Sequence, residues 1–452
     1  MKNIVILGGG ITGLSLLWNL KKHHGKNASI ALLEKTSRVG GWIRTLNKDG
    51  FLFERGPRSC RTNGYGKATL QLIEELGLQD QVIAADASAH QRFLYLDKRL
   101  QKVPSGFISA LFSPLTRKII PGLINEWRVP ASNKEDESIH AFFTRRFGLE
   151  ITNTFVDALT TGIYAGNVHD LSVKSCFPQF FKWEQQHGSL IKGALFGSFF
   201  SKKETPSLFV KKMNTASLFS FKEGMETLPK ALAHHLKNHI LTDHEVTGLH
   251  FHARGVELRL VNGKIIEADQ VYSTLPANAL SSLIRPHHRQ AAELLDSITA
   301  SSVAVVSLGY RQKVLSHSGF GYLVPSKEKE NILGMVWDSC VFPEQAEYNE
   351  ETRLTVMIGG TRMLDFPQWN ASDFLNCALE AIANHLQIQV PPDAVDVHIA
   401  RYAIPQYIVG HEQNKIAVHA AMKELSPFFK VLGSSFDGVA VNECIAHTTS
   451  FV

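Results

Sequence analysis

Residues 3–34 read Asn3-Ile-Val-Ile-Leu-Gly8-Gly-Gly-Ile-Thr-Gly13-Leu-Ser-Leu-Leu-Trp-Asn-Leu20-Lys-Lys-His-His-Gly25-Lys-Asn-Ala-Ser-Ile-Ala-Leu-Leu-Glu34. The apolar run 3–7 predicts a short buried strand. Leu14, Leu17 and Leu20 predict a helix whose last turn is basic and which Gly25 ends. Residues 29–33 predict a second strand closed by Glu34. A strand, a helix and a strand of these lengths build a parallel sheet, so the fold class is α/β. Gly8, Gly10 and Gly13 form Gly-x-Gly-x-x-Gly at the strand-to-helix turn. Gly8 permits the tight turn, Gly10 lets backbone approach a pyrophosphate, and Gly13 lets helix and strand pack closely. The helix N-terminus offers free N–H groups and positive dipole to phosphates. Glu34 stands where a carboxylate can accept from ribose hydroxyls.

Two remote segments point to the same ligand. Arg38-Val39-Gly40-Gly41-Trp42 follows the acid-ended strand and predicts a second anion-facing loop. Gly433-Ser-Ser-Phe-Asp-Gly438 precedes a terminal helix. Together these segments resemble the FAD-dependent amine oxidase superfamily, in which the glycine doublet accompanies flavin and the C-terminal segment returns to it.

The chain has 452 residues, 44% hydrophobic and 20% charged, which is ordinary globular usage and enough for about three domains. A net charge of +5 does not argue for nucleic acid. The five cysteines, Cys60, Cys176, Cys340, Cys377 and Cys444, lie far apart with no Cys-x-x-Cys, which speaks against a disulfide framework and against a bound metal. Glycines interrupt any signal-peptide core at the N-terminus, and no window carries an apolar run of membrane-spanning length. Further along, 67–78 predicts an amphipathic helix and 138–200 helical, apolar structure. Three strands are predicted over 246–269, with Asn262-Gly263 as a tight turn. Residues 300–310 and 353–360 are β-rich, and 370–386 predicts a helix. His234-His235 and His287-His288 read as solvated helix ends, and Cys444 as a buried thiol. The stretches 104–130 and 189–203 mix Phe, Leu and Ile with Lys and Arg. That suits docking at a membrane interface, although a partner domain or a homodimer contact would cover the same surface.

The resemblance tightens along the chain. Phe51–Ser59, Gly162–Asn167, Leu171–Pro178, Gly319–Pro325, Phe342–Gln345, Ile404–Tyr407 and Phe436–Ile445 are similar, in order, to the protoporphyrinogen oxidases of the oxygen-dependent, FAD-containing type. The resemblance implies a Rossmann-like FAD-binding domain in three pieces (1–85, 215–290 and 405–452). It also implies a mixed-sheet substrate domain (86–103 and 291–404) and a helical membrane-associating domain (104–214). It implies one non-covalent FAD per chain, contacted by Gly8, Gly9, Gly10, Ile11, Thr12, Gly13, Glu34, Lys35, Trp42, Gly56, Pro57, Arg58, Ser59, Val246, Ser434, Val439, Ala440 and Val441. Lys35 departs from the small residue often found after the acid. The implied substrate region comprises Arg92, Gly162, Phe320, Leu323 and Met357. Arg92 would pair with a propionate, and the Gly162 backbone would approach the macrocycle and act on the ring nitrogens. On residue type alone, Phe320, Leu323 and Met357 would pass for ordinary core.

The implied reaction is the six-electron oxidation of protoporphyrinogen IX to protoporphyrin IX in haem biosynthesis, with O2 as acceptor giving H2O2, or with another acceptor. The implied place is the cytoplasmic face of a membrane. Coproporphyrinogen III is the alternative substrate. A flavin amine oxidase or desaturase of another kind, and a non-catalytic FAD scaffold or porphyrin carrier, are the more distant alternatives.

Overall fold

The computed structural model describes residues 1–104, 122–123, 126–197 and 207–451. Most of the apolar, basic stretch 104–130, and the part of 189–203 beyond 197, lie outside the described residues.

Strand β1 (Lys2–Leu7) leads into helix α1 (Ile11–His24) and strand β2 (Ala28–Leu33). β1 pairs in parallel with β2 on one side and with Gln270–Ser273 on the other. Ile240–Leu241 and Phe429–Val431 complete a five-stranded parallel sheet. Its strands are buried on both faces, as their unbroken apolar runs require. Ile4 and Ile6 enter the core under α1, while Val5 and Leu7 enter a second core with Val271, Val431 and Phe436. α1 ends as read, since the Gly25 N–H donates back to Lys21 O at 3.0 Å. A three-stranded antiparallel sheet (Val246–His252, Gly255–Leu260 and Ile265–Ala268) covers one flank, and Gly263 turns its second hairpin at φ +82°.

The other large sheet has seven strands, in the order Ala394–Pro405, Ala300–Tyr310, Thr352–Gly359, Ile332–Val336, Gly321–Leu323, Arg92–Leu96, Arg99–Val103. Every neighbour is antiparallel except Gly321–Leu323 against Arg92–Leu96, so the sheet is mixed. The Rossmann-like parallel sheet and the separate mixed sheet match the α/β expectation. Residues paired directly across strands share a face. On one face Tyr95, Val306, Leu308, Tyr322, Met335 and Val356 pack beneath the helix Ala371–Leu386. The opposite face carries the row Leu94, Leu323, Gly334, Met357, Val305, His398, and beside it the row Arg92, Gly321, Val336, Thr355, Ser307, Asp396. Arg55 joins the halves of the molecule through a two-pronged ion pair with Asp396, at 2.8 and 2.5 Å.

Over 138–197 the chain is helical in part and packs an apolar cluster that includes Ile139, Phe142, Phe143, Leu171 and Val173, and it also buries charge. Arg146, fully buried, pairs with Glu126 at 3.1 Å and Glu184 at 2.5 Å, and donates to Val129 O and Gly188 O. Arg145 adds Glu137 and Glu184 to the cluster. The charges lie scattered among Phe and Leu in sequence, so only the packing reveals that they converge.

Candidate functional site

The glycine loops meet at the carboxyl end of the parallel sheet. Gly8 adopts φ +101°, which L side chains rarely occupy. A Cβ on Gly13 would lie 2.0 Å from Gly8 O, so only glycine fits where α1 leaves β1. A Cβ on Gly10 would meet nothing nearer than Gly41 Cα at 4.0 Å, so backbone there is open to a ligand. The N-terminus of α1 has neither a side-chain cap nor an acid in its first turn. Open backbone at a bare helix N-terminus is what a pyrophosphate requires. Gly40 N donates to Gly9 O at 2.8 Å, which lays the second glycine loop on the first. Gly56 extends the assembly, because a Cβ there would stand 2.0 Å from Trp42 O. Pro57, Arg58 and Ser59 follow it directly. Trp42 itself is 42% exposed.

Glu34 stands at the end of β2 with its carboxylate already engaged. One oxygen accepts from Gly9 N at 2.8 Å, and the other accepts from the N–H and hydroxyl of Thr36. Three donors aim it across Gly9 and leave lone pairs for a ribose. Lys35 is exposed. Val246 begins a strand two residues after His244, whose N–H donates to Glu34 O. Within the loop expected to face an anion, the Arg38 side chain turns inward. Its guanidinium donates to the carbonyls of Val39, Gly41 and Ile43 and faces Glu226 at 3.5 Å. It shapes the glycine-doublet loop from within.

The C-terminal segment returns to the same place. Leu432 N donates to Ser273 O, and Gly433 lies against Thr12. Tyr407 pins the turn that follows, its hydroxyl donating to Ser434 O at 2.5 Å and accepting from Gly438 N at 2.8 Å. Val439 and Ala440 lead to the short helix Val441–Ala446, and Glu443 accepts from Ala440 N at 3.0 Å. Burial pushes the Cys444 thiol up to about 12, so it stays protonated and unreactive, as its reading required. His288 differs from the solvated pair expected, because its Nδ1 accepts from Ala291 N and caps the helix Arg289–Asp296.

The five residues expected at the substrate lie on or beside the face of the mixed sheet opposite the helix Ala371–Leu386, a face on which the helix Asp157–Tyr164 also packs. Leu323 and Met357 flank Gly334 in one row, and a Cβ on Gly334 would stand 2.5 Å from Tyr322 O and 3.1 Å from Leu323 Cδ2, so the Leu323 side chain lies over the glycine. Gly162, on the helix Asp157–Tyr164, faces Leu323, and a Cβ on Gly162 would come within 2.7 Å of Leu323 Cδ2. Arg92 stands in the neighbouring row with its guanidinium 5.2 Å from the centre of the Phe320 ring. Burial of that guanidinium, and then the like charge of Arg61, hold its pKa below the usual arginine value. The surface offers a flat apolar wall with a cation at its edge.

Arg58 connects the two assemblies. It pairs with Asp338 at 3.1 Å, and its other nitrogen lies 3.8 Å from Met357 Sδ. Thr355 Oγ1 donates to the second oxygen of Asp338 at 2.7 Å. Sequence reasoning missed Asp338 and the pinning role of Tyr407. The Ile404–Tyr407 motif held a signal for the tyrosine, whereas nothing in sequence marks Asp338.

Comparison with known proteins gives one answer. The profile of the flavin containing amine oxidoreductases matches residues 11–415. The human protoporphyrinogen oxidase is 36% identical, over 98% of this chain and 96% of its own. That of Dictyostelium discoideum is 31% identical over 98% and 97%. The Bacillus subtilis coproporphyrinogen III oxidase is 30% identical over 98% and 96%. Among solved structures, a protein from Exiguobacterium sp. 255-15 superposes at TM-score 0.83 with 24% identity, covering 100% of this chain and 97% of its own. A putrescine oxidase variant gives 0.70 at 14% identity, covering 100% and 97%. These two likenesses speak for the fold.

Proposed function

The chain belongs to the flavin containing amine oxidoreductases, in the family of the protoporphyrinogen oxidases, and from that premise we propose that it oxidises protoporphyrinogen IX to protoporphyrin IX with FAD. It is an oxidoreductase of porphyrin biosynthesis. The glycine loops, Glu34 and the C-terminal turn would hold FAD without a covalent bond, and the flavin would supply two-electron chemistry, three rounds of which account for six electrons and six protons. With O2 as acceptor, each round returns one H2O2.

The single observation that carries the reading is Arg58. It belongs to the segment after Gly56 that packs on the glycine-doublet turn, yet its guanidinium reaches Met357 in the slot row. A cofactor in the loops and a macrocycle on the sheet face would therefore abut. The remaining roles follow from chemistry. Phe320, Leu323 and Met357 exclude water and hold a flat apolar ring. Arg92 takes a propionate through its fork. The backbone of Gly162 comes close to the macrocycle, where its carbonyl accepts from the pyrrole N–H groups.

Residues 1–85, 215–290 and 405–452 serve as the FAD-binding domain in this reading, with 86–103 and 291–404 as the substrate domain. Residues 104–214 serve as a helical domain that docks peripherally on the cytoplasmic face of a membrane. No helix among the described residues is long and apolar enough to cross one. Trp127, Leu149, Leu195 and Leu208 are exposed apolar groups of that region, which supports docking.

The test is direct. Purified yellow protein is given protoporphyrinogen IX and, separately, coproporphyrinogen III, and porphyrin fluorescence is followed. Fluorescence rising at a catalytic rate with the first substrate supports the reading. Faster turnover of the second moves the chain to the activity named for its Bacillus relative. Silence with both refutes the oxidase.

A further inference from the structure

Two small residues stand where the helix Asp157–Tyr164 meets the mixed sheet. Ala158 packs among Leu94, Leu96 and Leu323, and Gly162 faces Leu323 with no side chain at all. Dispersion between so few atoms fixes the height of the helix only weakly. Its two ends are held instead by side-chain hydrogen bonds to segments far away in the chain.

At the start, the buried Asp157 accepts from Ser326 N at 2.6 Å with one oxygen and from Ser326 Oγ at 2.8 Å with the other. Ser326 lies three residues beyond Leu323, so this anchor fixes the helix to the segment that Gly162 faces. At the end, Tyr164 O accepts from Gln406 Nε2 at 2.8 Å and from Ser301 Oγ at 3.2 Å. Gln406 is buried, its amide nitrogen also donates to Ile404 O at 2.9 Å, and its oxygen lies against Gly166. Two carbonyls thus take the two amide hydrogens, and the group cannot turn away without leaving buried donors unpaired. Ala165 then stops the helix at φ +48°. Tyr407, next in sequence to Gln406, holds the C-terminal turn at Ser434 and Gly438. One dipeptide therefore sets the helix against that turn, while Asp157 sets it against the sheet. Slack for movement exists upstream, in the π-helical turn Thr152–Val156.

We propose that Asp157 and Gln406 are positioning residues, a two-ended clamp that sets the distance of Gly162 from Leu323 and so the depth of the slot. Its part in turnover rests on the oxidase reading above.

The experiment uses flavin-loaded enzyme and protoporphyrinogen IX, in wild type, Gln406→Leu, Asp157→Leu and Asp157→Asn, each with and without Gly162→Ala. Gln406→Leu and Asp157→Leu each lower kcat about tenfold. KM and bound flavin stay unchanged, because Arg92, the apolar wall and the glycine loops are untouched. Asp157→Asn stays near wild type, since its amide accepts from Ser326 N and donates to Ser326 Oγ. The decisive readout is the cycle with Gly162→Ala. The added methyl costs about tenfold in kcat while the clamp holds, and about twofold or less once Gln406→Leu lets the helix retreat. Losses that simply multiply overturn the clamp. Where Gln406→Leu does not yield folded protein, Asp157→Leu carries the same cycle from the other end. If wild type oxidises no porphyrinogen, the oxidase reading fails instead. The methyl resonances of Leu323 then test the clamp by itself: Gln406→Leu shifts them, and an unchanged Leu323 spectrum overturns it.

Discussion

Gly13 has no room for a methyl group, because the first atom of any side chain would stand 2.0 Å from Gly8 O. Gly13→Ala must push α1 away from β1 and spoil the pyrophosphate cradle. Overpacking of this kind costs about 1–3 kcal/mol, which corresponds to FAD retention weakened by roughly tenfold to a hundredfold. The ratio of flavin to protein absorbance after gel filtration measures it. Glu54 is a different residue-scale case. Burial raises its carboxyl from 4.5 to about 8, although Met225 N and the Thr45 hydroxyl both bond to it. Its folded pKa lies above its unfolded one. The stability it contributes is therefore complete below pH 4.5 and is lost as pH rises through about 8. Glu54→Gln keeps the bond from Met225 N, lets its amide donate to the Thr45 hydroxyl instead of accepting from it, and removes the ionisation, so the variant is the more stable protein at pH 8, by on the order of 1–4 kcal/mol. Thermal unfolding at pH 6 and pH 8 compares the two.

At the scale of elements, the helix Asp157–Tyr164 and the strand Gly321–Leu323 meet where Gly162 faces Leu323. The methyl of Gly162→Ala would displace Leu323, a flexible side chain, toward the slot. Turnover falls by about tenfold, and Leu323→Ala restores part of it by vacating the space, a coupling of about 1 kcal/mol or more. Steady-state kinetics on both single variants and the double variant close the cycle. If the double variant is no better than the sum of the singles, the two residues act apart. The buried charge cluster ties elements differently. Arg146→Met removes the only cation paired with Glu126 among the described residues and leaves Glu184 to Arg145 alone, at a cost of about 3–5 kcal/mol. Calorimetry detects the loss as a lowered Tm.

Across the whole molecule, two buried groups shape stability against pH. Burial lowers His411 from 6.5 to about 4, so its contribution is complete above pH 6.5 and is lost as pH falls toward 4. Glu54 acts in the opposite sense from pH 4.5 to 8. Between pH 4.5 and 6.5 the slopes of these two groups oppose each other. A series of Tm values from pH 4 to pH 8.5 draws this profile. Glu54→Gln flattens its alkaline limb, and His411→Phe, which keeps a ring stacked on Tyr407, flattens the acid limb.

Sequence by itself determined the parallel sheet and its glycine turns. Their signals are local, resting on an apolar run, glycines at fixed offsets and an acid at the strand end. It also marked Arg92, Leu323 and Met357, through their positions in the family resemblance rather than through any pattern that composition reveals. Tertiary structure alone decided that these three share one face, because register across strands far apart in the chain sets which side chains stand together. It alone decided that Arg38 is spent on its own loop and that Asp338 answers Arg58. Charges act through space, and a linear chain does not record which of them become neighbours when the sheets close.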